Sequence, residues 1–252
     1  MILQQGSHAR DRRCTWHAWL RGNAITPAPS LGTVLSRVGE TQAHLPPATS
    51  VLIGLAALAA AFLQEIWLLA RYANTIAHEG AHAVTGSAIG RKVQYVWVNG
   101  KAEGETGVSQ GGAVGNIIFF FVGYVGPSAF GLGAAKLIEV GHIVAVLWLT
   151  LILLGLLLFF LRKAFSYVPV LATGVLIYLI ARYASVGANI VTAYAIAWFL
   201  LVSGVRVVLD DNLDAKDAEL LAGRTGIWRG FWVLLWLAGS VAAVAVGGSW
   251  LV

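Results

Sequence analysis

The chain has 252 residues, a net charge of +5, 58% hydrophobic residues and only 12% charged residues. Soluble domains carry about 25% charged residues, so this composition leaves too little polar surface to coat a water-soluble globule. The basic residues stand at the ends of apolar runs, as the topology signals of membrane proteins do, and we therefore exclude a nucleic-acid-binding protein.

Residues 1–47 differ from the rest of the chain because they contain five arginines, four prolines and no long apolar run. A signal peptide requires an apolar core near its start, and this segment has none. We expect residues 1–47 to form a basic, flexible N-terminal tail on the cytoplasmic side, and residues 48–252 to form a transmembrane domain.

Long apolar runs fill the remainder of the chain. Runs of about 18 or more apolar residues predict transmembrane helices, since unpaired backbone groups are too costly in lipid. The runs lack the alternation of barrel strands, so the predicted fold is an all-α polytopic membrane protein. The first two runs, 51–70 and 72–90, meet at Arg71, and we favour two spans with a tight turn there over one long kinked helix. The later spans are predicted at 112–135, 141–161, 166–182, 187–207 and 230–250, which makes six to seven in all.

The distribution of basic residues predicts the topology. With seven spans and a cytoplasmic N-terminus, only Arg71, Lys136 and Arg182 lie on the outer side. The other basic residues of the connecting segments share the cytoplasmic side, as the positive-inside rule requires. We therefore expect a multi-pass protein of the cell membrane, surrounded by the lipid bilayer.

Residues 78–82 read His-Glu-Gly-Ala-His within an apolar segment. Two histidines four residues apart project from one helix face and can share a Zn²⁺ ion at about 2.0–2.1 Å. Glu79 follows the first histidine and can take a proton from zinc-bound water. Ionisable residues in an apolar segment are costly and indicate function; the alternative is a water-exposed helix end. We predict that His78 and His82 bind zinc and that Glu79 is the general base.

The residues after this segment change character. Val93, Tyr95 and Trp97 alternate with polar residues, and Asn99-Gly100 is a tight-turn signal. These features predict a short β-hairpin or β-loop over residues 93–111, at the edge of the membrane.

The middle of the next span contains Gly126 and Pro127, with Gly123 and Gly131 each four residues from the proline. Proline opens the hydrogen-bond ladder of a helix, and glycine permits close approach of helices. The pair indicates either a packing kink or a role in shaping an active-site cleft.

A catalytic zinc requires a third protein ligand. The only cysteine, Cys14, lies in the N-terminal tail, and His142 stands alone at a predicted helix start, where we interpret it as an interfacial residue. Four of the five aspartates fall within residues 210–219. This segment is the better source of a ligand, although a solvated cytoplasmic loop explains any single aspartate equally well.

The order of these features resembles the site-2 protease class of intramembrane zinc metalloproteases, and the small bacterial branch in particular. The resemblance covers about residues 62–240 and depends mainly on His-Glu-Gly-Ala-His and on Gly-Tyr-Val-Gly-Pro at 123–127. It implies that the third zinc ligand is an aspartate, usually followed by glycine. This chain lacks Leu-Asp-Gly, but residues 217–222 are similar to the Asp-Ala-x-x-Leu-Ala pattern of the bacterial branch. Asp217 is thus the implied ligand, with Asp214 as the second choice.

The resemblance implies a zinc endopeptidase that cleaves membrane-protein substrates in or near their transmembrane segments. A catalytically degenerate membrane scaffold that binds partners is the main alternative, and it would be favoured if no aspartate reached the histidines. A transporter ranks last, because such proteins commonly contain inverted repeats and this chain shows no internal repeat.

Overall fold

The computed structural model describes residues 30–211 and 216–252. Within this part of the chain, the structure consists of α-helices, one 3-10 turn and a single two-stranded sheet. In chain order the elements are α1 (Leu31–Gly39), α2 (Pro47–Phe62), α3 (Gln64–Ala88), β1 (Val93–Val98), β2 (Gly104–Val108), α4 (Ala113–Glu139), α5 (Ile143–Leu158), a 3-10 turn (Ala164–Ser166), α6 (Tyr167–Tyr183), α7 (Val186–Asp211), α8 (Lys216–Thr225) and α9 (Arg229–Leu251). The predicted class, helical with one short hairpin after the His-Glu helix, is confirmed.

Four helical segments are long and apolar enough to cross a membrane: α4, the 3-10 turn with α6, α7 and α9. The bent pair α2–α3 makes a fifth if it is counted as one broken span. The predicted count of six to seven spans is therefore not confirmed for the residues that the structure describes. Two local features, a bend and a shortened helix, account for the difference.

The bend lies at Leu63, where the axes of α2 and α3 differ by 99°. The predicted turn near Arg71 is wrong, because α3 runs through that residue without a break. Leu63 is extended, and Glu65 stands in the first turn of α3, where a carboxylate is favoured by the helix dipole. Arg206 of α7 donates from Nε to the Ala61 carbonyl at 3.1 Å and satisfies a carbonyl that the end of α2 leaves unpaired.

The shortened helix is α5, which has 16 residues. At 1.5 Å per residue it is about 24 Å long, less than the ~30 Å of a bilayer core. The predicted span 141–161 was longer because its last residues are apolar, but they leave the helix and pair with β1. The Val96 N–H donates to the Phe160 carbonyl at 2.8 Å, and the Arg162 N–H donates to the Val96 carbonyl at 3.1 Å.

The hairpin follows α3 directly. β1 and β2 are antiparallel, with Val96 opposite Thr106. The loop is longer than a two-residue turn: the Asn99 N–H donates to the Glu103 carbonyl at 2.9 Å, so the Asn99-Gly100 signal marks the start of a five-residue connection. β1 therefore has hydrogen-bonded neighbours on both of its edges, namely β2 and residues 160–162.

Helix α4 contacts α3, α7 and α9 and lies at the centre of the bundle. Two of its glycines permit this close packing. A Cβ atom built on Gly126 would lie 2.2 Å from the Ala81 Cβ of α3, and one built on Gly131 would lie 2.7 Å from the Leu201 backbone nitrogen of α7. Side chains at either position would push the helices apart, as the sequence pattern around Pro127 predicts.

The predicted N-terminal tail is described only from residue 30. Residues 31–39 form α1, and the segment after it is attached to the bundle. The Gln42 N–H donates to the Gly141 carbonyl at 2.8 Å, and the Gln42 side chain accepts from the Val144 N–H at 2.9 Å. The flexibility of residues 1–47 stays a prediction.

Candidate metal centre

Two histidines and one aspartate come together between α3, α4 and α8. His78 and His82 lie one turn apart on α3, with their Nε2 atoms 3.1 Å from each other. Asp217 belongs to α8, 135 residues further along the chain. Its Oδ2 atom lies 3.2 Å from His82 Nε2 and 3.5 Å from His78 Nε2. Asp214, the second choice for a third ligand, lies outside the described residues.

The three donor atoms fit a metal ion. Ligand atoms at about 2.0–2.1 Å around a tetrahedral Zn²⁺ are roughly 3.3 Å from one another, close to the three distances found here. The wall opposite the imidazoles is Gly123 of α4, where a Cβ atom would lie 2.4 Å from His82 Nε2 and 2.6 Å from His78 Nε2. The absence of a side chain leaves the space in front of both rings free, and the group can hold a metal ion.

Hydrogen bonds and ring contacts orient the two imidazoles. His82 Nδ1 lies 2.9 Å from the Phe119 carbonyl oxygen. A carbonyl only accepts, so Nδ1 carries a proton, and such a hydrogen bond from the ring nitrogen that does not face the metal is typical of metal-binding histidines. The His78 ring packs edge-on against Tyr124, with centroids 4.9 Å apart.

Buried apolar contacts fix helix α8 in place and thereby position Asp217. Ala218 and Leu221 are fully buried in a cluster with Tyr124 and Trp236. Burial raises the pKa of the Asp217 carboxyl, but its hydrogen bonds with the two histidines outweigh burial, so the pKa lies well below its ordinary range. The carboxylate is therefore ionised, as metal binding requires.

Tyr124 links three helices around this centre. Its hydroxyl donates to Asp211 Oδ2 at 2.6 Å, which connects α4 to the end of α7. The other face of its ring stacks on Trp236 of α9 at 4.4 Å. In the sequence, Tyr124 stands out only as part of the Gly-Tyr-Val-Gly-Pro pattern, and its contact with an aspartate of the acidic segment depends on the fold.

Glu79 is buried, with 3% of its surface exposed, and lies beneath strand β2. Thr106 donates from Oγ1 to Glu79 Oε2 at 2.6 Å. The other carboxylate oxygen lies against Gly104, where a Cβ atom would come within 2.5 Å of Oε1. The predicted general base therefore stands beside the candidate metal ligands, held by two hairpin residues that sequence reasoning missed.

A cavity of about 600 Å³ opens onto this centre. Its walls combine the candidate ligands and Glu79 with strand β2, aromatic rings and charged side chains. They include His78, Glu79, His82, Asp217, Gly104, Thr106, Tyr95, Phe119, Phe120, Tyr124, Trp67, Arg71, Glu105, Asp211 and Lys216. Gly126 and Pro127 are buried but do not line this cavity. They contribute to the spacing of α3 and α4, and their role in shaping a cleft stays a prediction.

The comparisons with known proteins give one match. A family model described as Peptidase M50B-like matches residues 51–247, a range that contains the three candidate ligands, Glu79 and the hairpin. No curated protein and no solved structure gave a significant match.

Proposed function

Because the chain belongs to the Peptidase M50B-like family, which is the site-2 protease family, we propose that it is a zinc endopeptidase that cleaves membrane proteins in or near their transmembrane segments. The observation that supports this most is the convergence of His78, His82 and Asp217 beside Glu79. These four residues come from two distant segments, and they meet in a cavity of about 600 Å³. A multi-pass membrane location follows from the apolar helices.

Four residues of the chain have distinct roles in the proposed hydrolysis. His78, His82 and Asp217 would hold zinc, which supplies a Lewis acid that polarises a peptide carbonyl and lowers the pKa of water. Glu79 accepts the proton that water loses on attack and returns it to the departing amine. The buried position of Glu79 keeps bulk water away, which strengthens its electrostatic interactions.

Strand β2 offers a binding edge for the substrate. A peptide bond within a helix is already hydrogen-bonded and must be unwound before it can react. β1 is paired on both edges, whereas within the described residues β2 pairs only with β1. β2 also lines the cavity, so an unwound substrate segment can add to its open edge by main-chain hydrogen bonds.

The test uses purified protein in lipid nanodiscs and a reporter peptide, a synthetic transmembrane helix with a Gly-Pro break flanked by a fluorophore and a quencher. We expect one zinc ion per chain and cleavage of the reporter. The E79A variant should retain zinc and lose cleavage, because it keeps the ligands and lacks the base. Glu65→Ala, an exposed position on the same helix, is the matched control and should cleave normally. Protein that binds no stoichiometric zinc would contradict the proposal.

The alternative of a degenerate scaffold predicts neither zinc nor cleavage. A separation of more than about 4 Å between the histidine pair and every carboxylate of residues 210–219, well beyond zinc bond lengths, would support this alternative. Asp217 does not meet that condition, since it lies within 3.5 Å of both imidazoles. This supports the protease, and zinc content together with cleavage of the reporter by the wild-type protein separates the two.

The location in a bacterial cell membrane and the cytoplasmic N-terminus belong to the same proposal. The orientation is supported by the positive-inside rule applied to the seven predicted spans. The bacterial location is supported by the similarity of residues 217–222 to the pattern of the bacterial branch. Labelling of single cysteines placed in the 99–103 and 184–185 connections of intact cells would test the orientation.

A further inference from the structure

Strand β2 lies directly across the carboxylate of Glu79. A hydroxyl group has one proton to donate, and Thr106 Oγ1 has two acceptors within reach: Glu79 Oε2 at 2.6 Å and the Glu79 backbone carbonyl at 3.2 Å. The shorter contact goes to the carboxylate. Both side chains are buried, so water does not readily replace this hydrogen bond.

Gly104 confines the Glu79 carboxylate from the other side. It belongs to the same strand, two residues before Thr106, and side chains two residues apart point to the same face of a strand. Since Gly104 has no side chain, the strand can rest on Glu79 Oε1, where a Cβ atom would lie at only 2.5 Å. The carboxylate is therefore confined between a hydrogen bond and a backbone surface.

We propose that Thr106 is a positioning residue that holds the Glu79 carboxylate in the orientation needed for proton transfer. The inference rests on the proposed function, because the proposed hydrolysis is what gives Glu79 its role as a general base. A glutamate side chain has several rotatable bonds, and a general base must stand within hydrogen-bond reach of the proton it takes. The hydroxyl of Thr106 fixes one carboxylate oxygen and so restricts the rotation of the group.

The same strand then serves two purposes. The open edge of β2 would receive the substrate backbone, while the Thr106 side chain reaches from that strand to the base. Thr106 thereby fixes the Glu79 carboxylate relative to a substrate strand bound to β2. Such alignment matters because a misplacement of about 1 Å can lower a rate by about 100-fold.

The experiment compares T106V with T106S in the reporter assay. Valine keeps the shape of threonine and removes the hydroxyl, so we expect kcat to fall by about 10- to 100-fold with KM and zinc content near those of the wild type. Serine restores the donor, and T106S should recover most of the kcat.

Thr75→Val is the matched comparison. The Thr75 hydroxyl also joins α3 to the hairpin, but it donates to the Ala102 carbonyl at 2.7 Å and makes no hydrogen bond with the Glu79 carboxylate. T75V removes a hydrogen bond that holds the hairpin but leaves the hydrogen bond to the Glu79 carboxylate intact. We therefore expect T75V to change KM rather than kcat.

Three outcomes would overturn the role of Thr106: a wild-type kcat in T106V, a T106S variant as slow as T106V, or an experimental structure of T106V with Glu79 unmoved. The last measurement applies even where the variant is inactive. Failure of the proposed function looks different, because wild-type protein would then not cleave the reporter or E79A would cleave it. A slow T106V beside an inactive E79A supports both proposals.

Discussion

The Gly123→Ala substitution tests the metal centre by adding a single methyl group. The new Cβ atom would lie 2.4 Å from His82 Nε2 and 2.6 Å from His78 Nε2. Carbon and nitrogen atoms without a bond prefer about 3.5 Å or more, so the overlap is roughly 1 Å with each ring. The methyl group would also occupy the space in front of both Nε2 atoms, where an ion bonded at about 2.0–2.1 Å has to sit.

We expect G123A to lower zinc affinity at least 100-fold, more than the loss of an outer-shell partner usually costs. The measurement is a competition titration with a chromophoric chelator, supported by elemental analysis of the purified protein. Gly133→Ala is the control, because it makes the same change on the same helix at a position where a Cβ atom meets nothing within 4 Å. G133A should bind zinc as the wild type does. Wild-type affinity in G123A would refute the placement of the metal between the two imidazoles and Gly123.

Three further substitutions test the surroundings of the centre. D217A removes one of three donors and should weaken zinc binding by more than the about 10- to 100-fold typical of outer-shell changes; unchanged affinity in the same titration would point to another third ligand. Tyr124→Phe removes the 2.6 Å hydrogen bond to Asp211 and keeps the stacked ring. The free energy of unfolding, measured by denaturation in detergent, should therefore fall by about 1.5–3 kcal/mol. An unaltered unfolding transition would argue against a stabilising role for this hydrogen bond. Lys216→Ala breaks an exposed ion pair with Glu105, and we expect the free energy of unfolding to change by less than about 1 kcal/mol, with zinc retained. A larger loss of stability would mean that this ion pair, and not the buried contacts of α8, holds the helix.

Several features of this protein could be predicted from local sequence. The long apolar runs required helices, the i and i+4 histidines required a common face, and the alternation after Arg91 indicated the hairpin. The bend was misplaced because Arg71 is the stronger polar signal, although α3 accommodates it in a cavity wall. Gln64 and Glu65, directly after Leu63, are a weaker polar signal than Arg71, and the contact of Arg206 with the end of α2 becomes visible only in the fold.

The residue types at the centre could be recognised from local sequence: two histidines at helical spacing, a glutamate between them and a distant aspartate suggested by a short pattern. The tertiary structure decided which carboxylate reaches the histidines, because that depends on how α8 packs against α4 and α9. It also decided what surrounds Glu79. Thr106 and Gly104 are ordinary strand residues, and they gain significance only because β2 lies across α3, a contact between segments that no local pattern encodes.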